Sequence, residues 1–215
     1  AASAAFAQDA APASGQVEEI VVTGSRIARR DFVSASPIVT QSVDAMKDTG
    51  KLSVEGALNQ LPQFTPAQTE RSNSQSGGGR ATLNLRGLGQ TRNLILMDGR
   101  RLPASDAFGV VDVNIIPQGI LSGVETISGG ASAVYGSDAI SGVVNFKTVR
   151  SFEGVKIDLM NSISERGDAY KFNGSLAFGT GFADNRGHII AAFGYTKQDP
   201  VEGTARDFFH NKTPS

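Results

Sequence analysis

Alternation of apolar and polar residues dominates the chain after residue 150. Residues 155–163, 170–178 and 188–195 each alternate with a period of two, and short turns at 165–168 and 184–187 separate them. Because successive side chains of a strand point to opposite faces, each segment predicts a strand with one apolar face and one small or polar face. Three strands of about nine or ten residues with this pattern are typical of a membrane barrel wall. The edge of a soluble β-sandwich is the alternative.

Residues 37–61 show a strand followed by helical spacing. Residues 37–43 predict a strand, and Asp44 is a candidate helix cap. The apolar positions from 44 to 61 partly follow a helical period with an interruption at Gly50, and Pro62 ends the pattern. We therefore expect two short helices, the second beginning near Ser53.

Short strands fill residues 82–147. Residues 82–86 alternate, and 93–102 predict a hairpin around the turn pair Asp98 and Gly99. An extended segment at 110–116, a turn beginning at Pro117, and strands at 124–127 and 142–146 follow. With 25 Gly among 215 residues, residues 20–147 predict a compact, turn-rich α+β unit.

Composition excludes several kinds of site. The formal charge of −1, with scattered Arg residues, offers no basic stripe for nucleic acid. The absence of Cys rules out disulfides and thiolate metal sites, and two His are too few for a multi-histidine cluster. The longest unbroken apolar run has five residues, 189–193, whereas a spanning helix needs about 20.

Enzyme motifs are also missing. Residues 87–92 lack the third glycine of a dinucleotide fingerprint, and no phosphate-binding Gly-Lys-Ser/Thr sequence occurs. His188 lies in a predicted strand without an attached nucleophile motif. We expect no catalytic residue, no metal and no cofactor.

Both ends of the chain differ from the rest. Residues 1–7 have the small-x-small pattern of a signal-peptide cleavage site, with an Ala-rich tail as the alternative. Residues 8–17, rich in Ala, Pro, Ser and Gly, predict a flexible tether. Residues 206–215 form a polar loop that looks truncated.

A β-branched segment follows the tether. Its residues are Glu18, Glu19, Ile20, Val21, Val22, Thr23 and Gly24. The composition predicts a strand without an obvious neighbour. Such a segment can pair with a partner's sheet edge, and an ordinary edge strand of the α+β unit is the alternative.

The order of these pieces resembles the TonB-dependent outer-membrane receptors. Residues 18–24 are similar to the family's TonB box. The motifs similar to its plug domain are Leu85-Arg86-Gly87, Met97-Asp98-Gly99-Arg100, Val124-Glu125, Gly130-Ala131-Ser132-Ala133-Val134-Tyr135-Gly136 and Gly142-Val143-Val144-Asn145. The resemblance covers residues 18–147, with the first barrel strands after it.

The resemblance implies an α+β plug domain at 25–150 and the first strands of a transmembrane β-barrel at 151–215. It implies a plug inside a 22-stranded barrel in the bacterial outer membrane, which admits a scarce nutrient when TonB, energised through ExbB and ExbD, pulls. The implied partners are TonB at residues 18–24, outer-membrane lipid, the remaining strands and an unknown nutrient.

The resemblance also implies roles for single residues. Arg86 corresponds to an arginine that pairs with acids of the barrel wall, although Ser128 and Gly129 replace a second family arginine; an inert, solvent-facing Arg86 is the alternative. Two loop tips correspond to ligand-facing regions, with merely mobile loops as the alternative. Their residues are Gly77, Gly78, Gly79, Arg80, Ser105, Asp106 and Phe108.

Two rivals to a transporter remain at this stage. One is a free-standing periplasmic module that binds or signals, and the other is a truncated remnant of a transporter.

Overall fold

The computed structural model describes residues 38–69, 79–129, 131–183 and 186–200. In chain order the strands and helices are β1 (Ile38–Ser42), α1 (Val43–Lys47), α2 (Val54–Leu58), β2 (Asn93–Met97), β3 (Arg100–Arg101), β4 (Leu121–Ile127), α3 (Ser132–Tyr135), β5 (Gly142–Thr148), β6 (Gly154–Ser162), β7 (Lys171–Phe182) and β8 (Gly187–Gln198). None of the described helices has the length and apolar character needed to cross a membrane.

The first five strands form one mixed sheet in the order β1-β4-β5-β2-β3. The central pair β2 and β5 is parallel, and the other pairs are antiparallel. We call residues 38–150, which contain this sheet and the three helices, the N-terminal unit. It matches the predicted α+β class.

Each face of this sheet is covered by its own apolar cluster. Ile95, Val124 and Phe146 pack with Met46 of α1 and Leu58 of α2 on one face. On the other face the strand residues Leu94, Leu96, Ile127 and Val143 pack against Ala131, Ala139 and Tyr135, in and around α3. The sheet therefore separates the α1–α2 side from the α3 side.

The two short helices occur as predicted, but the first cap differs. The Ser42 side chain accepts a hydrogen bond from the Ala45 amide at 3.2 Å, and Asp44 lies within the first turn of α1. Asp44 was therefore the wrong cap. Both positions carry residues that cap helices well, and Ser42 occupies the position because it is the last, still extended residue of β1. α2 begins directly after Ser53, close to the predicted start, and the Ser53 side chain caps it.

Residues 110–116 are not fully extended. A 3-10 turn, Val113–Ile115, interrupts the predicted extended segment. The Asp112 carboxylate accepts a hydrogen bond from the Asn114 amide at 3.0 Å, so a side chain at the start of the turn replaces strand pairing. The prediction of an extended segment was wrong at this point.

The hairpin at Asp98 and Gly99 is present. Both residues have positive φ, 48° and 78°, as a two-residue turn between twisted strands requires. The Asp98 carboxylate also accepts hydrogen bonds from the Thr148 amide at 3.0 Å and the Thr148 hydroxyl at 2.5 Å. The turn therefore holds the end of β5, where the chain leaves the unit.

Strands β6, β7 and β8 form a separate antiparallel sheet. Strands β7 and β8 have 12 residues each, longer than predicted, because their backbone pairing continues beyond the apolar alternation, to Lys171 opposite Gln198 at one end and Phe182 opposite Gly187 at the other. The register places large apolar side chains together on one face, where all are exposed: Val155, Ile157, Leu159, Leu176, Phe178, Ile189, Phe193 and Tyr195. The opposite face packs against the α1–α2 side of the N-terminal unit.

Candidate functional site

Two loop tips of the N-terminal unit are joined by an ion pair. Arg80 Nη1 lies 2.6 Å from Asp106 Oδ2. Asp106 Oδ1 accepts hydrogen bonds from the backbone amides of Phe108 at 3.0 Å and Val110 at 3.1 Å. The Val110 amide and the Arg80 guanidinium lower the pKa of Asp106 below its ordinary value of 3.8. The structure therefore brings together residues that the sequence assigned to separate tips.

A second set of hydrogen bonds shapes the same end of the molecule. Asn114 Nδ2 donates to the Gly79 carbonyl at 2.9 Å, and Asp112 Oδ1 accepts from the Ala81 amide at 3.1 Å. The Ser105 amide and hydroxyl both donate to the Val110 carbonyl, at 2.7 and 2.8 Å. Sequence reasoning missed Asp112 and Asn114, although an Asp just before a short turn is a recognisable signal for such bonding.

Phe108 is the most exposed large apolar residue of this end, with 82% of its surface accessible. The charges of Arg80 and Asp106 neutralise one another in their ion pair. A ligand that approaches this end of the molecule therefore meets the apolar ring of Phe108 beside a neutral pair. Such a ring can stack on or pack against a ligand without a charge requirement.

A cavity of about 710 Å³ lies between the N-terminal unit and strands β7 and β8. Gly79 of the first tip and the turn residues Asn114 and Ile115 line one side, and Thr196 and Gln198 line the other. The strand side presents amide and hydroxyl groups, such as those of Asn173 and Ser175, together with the apolar Ala192 and Phe193. Through Gly79, the cavity therefore adjoins the first of the joined tips.

The N-terminal unit contacts the three-stranded sheet through its α1–α2 side. Lys47 Nζ lies 2.7 Å from Asp158 Oδ1 of β6, and Asn173 Nδ2 of β7 donates to the Leu52 carbonyl at 2.9 Å. Gly119 packs against Ser175 of β7. We call these contacts the seam. It fixes the tips relative to the strands that line the cavity.

Arg86 lies within the N-terminal unit, in a strained left-handed conformation with φ of 58°. Its Nη2 donates to the Ile140 carbonyl at 3.2 Å, close to α3. The α3 side faces away from β6–β8, so the described strands do not test its predicted pairing with acids of the wall. That pairing stays a prediction.

Within the Gly-Ala-Ser-Ala-Val-Tyr-Gly motif, Ser132–Tyr135 form α3, and Ala131 and Gly136 cap its two ends. The carbonyl of Tyr135 accepts a hydrogen bond from Arg101, and Arg101 also pairs with Asp138. The Arg101 guanidinium, followed by the Ser137 hydroxyl, lowers the pKa of Asp138. Arg101 thus holds the α3 motif against the β2–β3 hairpin, so the hairpin motif and the α3 motif of the sequence lie together in the fold.

Some predicted site residues lie outside the described residues. They are the TonB-box candidates Glu18, Glu19, Ile20, Val21, Val22, Thr23 and Gly24, and the loop residues Gly77 and Gly78. Their roles stay predictions.

Solved structures similar to this chain are receptors and transporters by name. The unliganded ferric citrate transporter FecA is 22% identical with a TM-score of 0.63, over 78% of this chain and 26% of that chain. A mutant ferric enterobactin receptor, PfeA from Pseudomonas aeruginosa in complex with enterobactin, is 20% identical with a TM-score of 0.60, over 77% and 25%. The siderophore receptor PirA from Pseudomonas aeruginosa is 18% identical with a TM-score of 0.58, over 77% and 29%.

These comparisons establish the fold of the chain. It spans about a quarter of the length of the receptors it matches. The mixed sheet corresponds to their plug and β6–β8 to their first barrel strands, as the predicted fold class requires. The similar proteins are transport receptors, and the chain is not an enzyme.

A family comparison covers the N-terminal unit directly. The family model described as TonB-dependent Receptor Plug Domain matches residues 32–143, just over half of the chain. The chain therefore belongs to the TonB-dependent receptor plug domain family.

Proposed function

We propose that the chain is the plug and the start of the barrel of a receptor that transports a scarce nutrient across the bacterial outer membrane, driven by TonB. In this proposal residues 1–7 end a signal peptide, 8–17 form a tether, 18–24 are the TonB box, 25–150 the plug and 151–215 the first barrel strands. The observation that carries it is the docking of the plug on the polar face of β6–β8, which leaves their apolar face exposed.

The size of the apolar face supports an outer-membrane location. Phe172 and Phe182 mark the two ends of the outward-facing set of β7. With a rise of about 3.4 Å per residue and a tilt of about 40°, the ten steps from Phe172 to Phe182 span roughly 26 Å of membrane depth. The apolar band of outer-membrane barrels is about 25 Å tall.

The remaining barrel strands are a required partner. Among the described residues, β6 and β8 each pair on one side only. An open strand edge inside lipid leaves backbone N–H and C=O groups unsatisfied, at a cost of several kcal/mol per group. We infer that further strands close the wall, and the short coverage of the matched receptors agrees with a longer protein.

The joined tips and the cavity are the proposed ligand side. Gly77, Gly78, Gly79, Arg80, Ser105, Asp106 and Phe108 would face the nutrient before it enters the cavity. One similar structure holds enterobactin and another is a ferric citrate transporter, so labelled ferric enterobactin and ferric citrate are the first probes. The nutrient itself is left open.

The proposed TonB contact uses the main chain of residues 18–24. Each hydrogen bond of an added strand nets about 1 kcal/mol, while ordering each residue costs about 1 to 2 kcal/mol. The isolated contact is therefore weak, which suits a cycle in which TonB engages and releases. TonB in turn receives energy through ExbB and ExbD.

A peptide experiment tests this contact without knowledge of the nutrient. A synthetic peptide of residues 16–26 should bind the periplasmic domain of TonB weakly but measurably in a calorimetric titration. The variant Val21→Pro removes a main-chain donor and should lose binding. Val21→Thr, which keeps the backbone and β-branching, is the matched control and should retain it. Equal binding by all three peptides would refute the assignment of the box.

Arg86 is the proposed contact between the plug and the distant part of the wall. Its guanidinium donates to the Ile140 carbonyl, next to Ala139 of the cluster around α3, where strands beyond β8 would meet the plug. A guanidinium is suited to bidentate pairing with an inward-facing carboxylate. Arg86→Ala should loosen the plug and raise the conductance of the receptor in a planar bilayer, whereas Arg86→Lys should raise it less.

Cells test the transport step. Energised cells that produce the receptor should accumulate a labelled nutrient, and cells without TonB should bind it at the surface without accumulation. A receptor found in the soluble periplasmic fraction would overturn the proposal in favour of a free-standing module.

A further inference from the structure

The turn Gln118–Ile120 is the centre of the seam. It packs on all three described wall strands, β6, β7 and β8. A Cβ atom built on Gly119 would lie 3.5 Å from the Cβ of Ser175 and 3.6 Å from the Cβ of Ala177. The backbone of the turn therefore rests directly on the middle of β7, and a Cβ at this position would also lie 3.3 Å from the Ser175 hydroxyl, which would have to shift slightly.

The same turn also holds the connection between plug and wall. The Val149 amide donates to the Ile120 carbonyl at 2.8 Å, directly after the end of β5. The chain thus passes from the plug to β6 beside the point at which the wall docks. This short connection keeps the two docking surfaces near each other from the moment both exist.

Polar contacts on either side complete the seam. The Lys47–Asp158 ion pair and the Asn173–Leu52 hydrogen bond join residues 111 and 121 positions apart. Asn173 is buried, so its amide needs this partner. All of these contacts are made by residues between α1 and β8, and none requires a strand beyond β8.

We propose that the seam forms before the barrel closes, so that the wall closes around a plug that is already docked on its first three strands. The proposal rests on the proposed function, in which β6–β8 begin a closed wall. Contacts with a shorter separation in sequence form sooner than those with a longer one, and closure of the barrel pairs its first strand with its last, which are further apart than any residues of the seam. Docking on the plug also gives partners to the polar side chains of β6–β8, which otherwise have none until the barrel has closed around the plug.

A timed disulfide experiment tests this order. The 215 residues contain no Cys, so introduced thiols are unambiguous once any Cys elsewhere in the receptor is replaced by Ser. The Cβ separation at positions 119 and 175 falls in the range of disulfides, about 3.5–4.5 Å. The full-length receptor with Gly119→Cys and Ser175→Cys is diluted from urea into detergent micelles, oxidised briefly at successive times and quenched with a maleimide.

Two readouts come from one gel series. Non-reducing electrophoresis reports the disulfide, and the shifted migration of unboiled samples reports barrel closure. The matched control pair is Gly119→Cys with Thr180→Cys, on the same strand but on its exposed outer face. We expect the 119–175 pair to be mostly oxidised while most molecules are still open, and the control pair to be oxidised at least tenfold less.

Two results would overturn the proposal. One is oxidation of the 119–175 pair only at or after closure. The other is early oxidation of both pairs to the same extent, which would mean random collisions in an undocked chain. If the first variant does not close, Gly119→Cys with Ala177→Cys replaces it. Since neither readout involves TonB or a nutrient, a failure of the transport proposal would leave this result interpretable.

Discussion

A charge placed on the apolar face of β7 measures whether that face meets lipid. Leu176 lies at the middle of the strand, between Ile157 of β6 and Phe193 of β8 on the same face. An Arg near the bilayer midplane of a barrel costs about 2–4 kcal/mol, or roughly 30- to 700-fold in the folding equilibrium. On a water-exposed surface the same change stays within about 0.5 kcal/mol.

Depth provides the matched control. Thr180 faces the same side, four residues further along β7. Those four residues correspond to roughly 14 Å along the strand and about 10 Å of depth at a tilt near 40°. Thr180→Arg should therefore lie near the edge of the apolar band and cost only about 0–1 kcal/mol.

Reversible denaturant unfolding of the full-length receptor in lipid vesicles gives both values. We expect Leu176→Arg to exceed Thr180→Arg by about 2–3 kcal/mol. Equal costs at the two depths, or two costs below about 0.5 kcal/mol, would show that the face does not meet lipid, and the reasoning that places this chain in a membrane would fail.

Three further predictions concern the plug and the seam. In denaturant unfolding, Gly142→Ala should destabilise the plug by about 2–4 kcal/mol, because Gly142 has a φ of 138° and a Cβ there would lie 2.0 Å from a backbone oxygen of β4. Gly129→Ala is the control: Gly129 has a similar φ of 142° but open space around it, so the change should cost only about 1–2 kcal/mol. Asn173→Ala leaves the buried Leu52 carbonyl unpaired and should cost about 1–3 kcal/mol in the same measurement, and an unchanged midpoint would contradict the seam. The lowered pKa of Asp106 means that its stabilisation of the tip is present above the ordinary value of 3.8 and is lost as the pH falls through the folded-state pKa. Hydrogen exchange of the Val110 amide, relative to its intrinsic rate, should therefore be slower than in Asp106→Asn at neutral pH and approach that variant at acid pH.

Local patterns predicted the elements better than their contacts. Alternation located β6, β7 and β8 because a sheet with one apolar face imposes a period of two on its sequence. The turn pair at Asp98 identified a hairpin because few residue pairs adopt two positive φ angles. At Asp44 the same kind of reasoning failed, since Ser42 and Asp44 carry equally good capping side chains and only the end of β1 decides between them.

The joined tips and the seam had no sequence signal. Arg80 and Asp106 are 26 positions apart, and Lys47 and Asp158 are 111 apart. Nothing in the spacing of these residues indicates a pair, because the sheet topology sets their proximity. The resemblance to a family supplied the ligand-facing role of the tips, and geometry alone showed that they form one end of the molecule.

The position of β1 has a mechanical consequence. Among the described strands, β1 lies at an edge of the plug sheet and pairs only with β4, through five residue pairs. Residues 18–24 precede it in the chain. A load applied through those residues reaches β1 before any other described element, and its detachment leaves the other four strands paired. Unfolding of the plug under load can therefore begin with the detachment of β1, which requires only a fraction of the free energy needed to unfold the whole sheet.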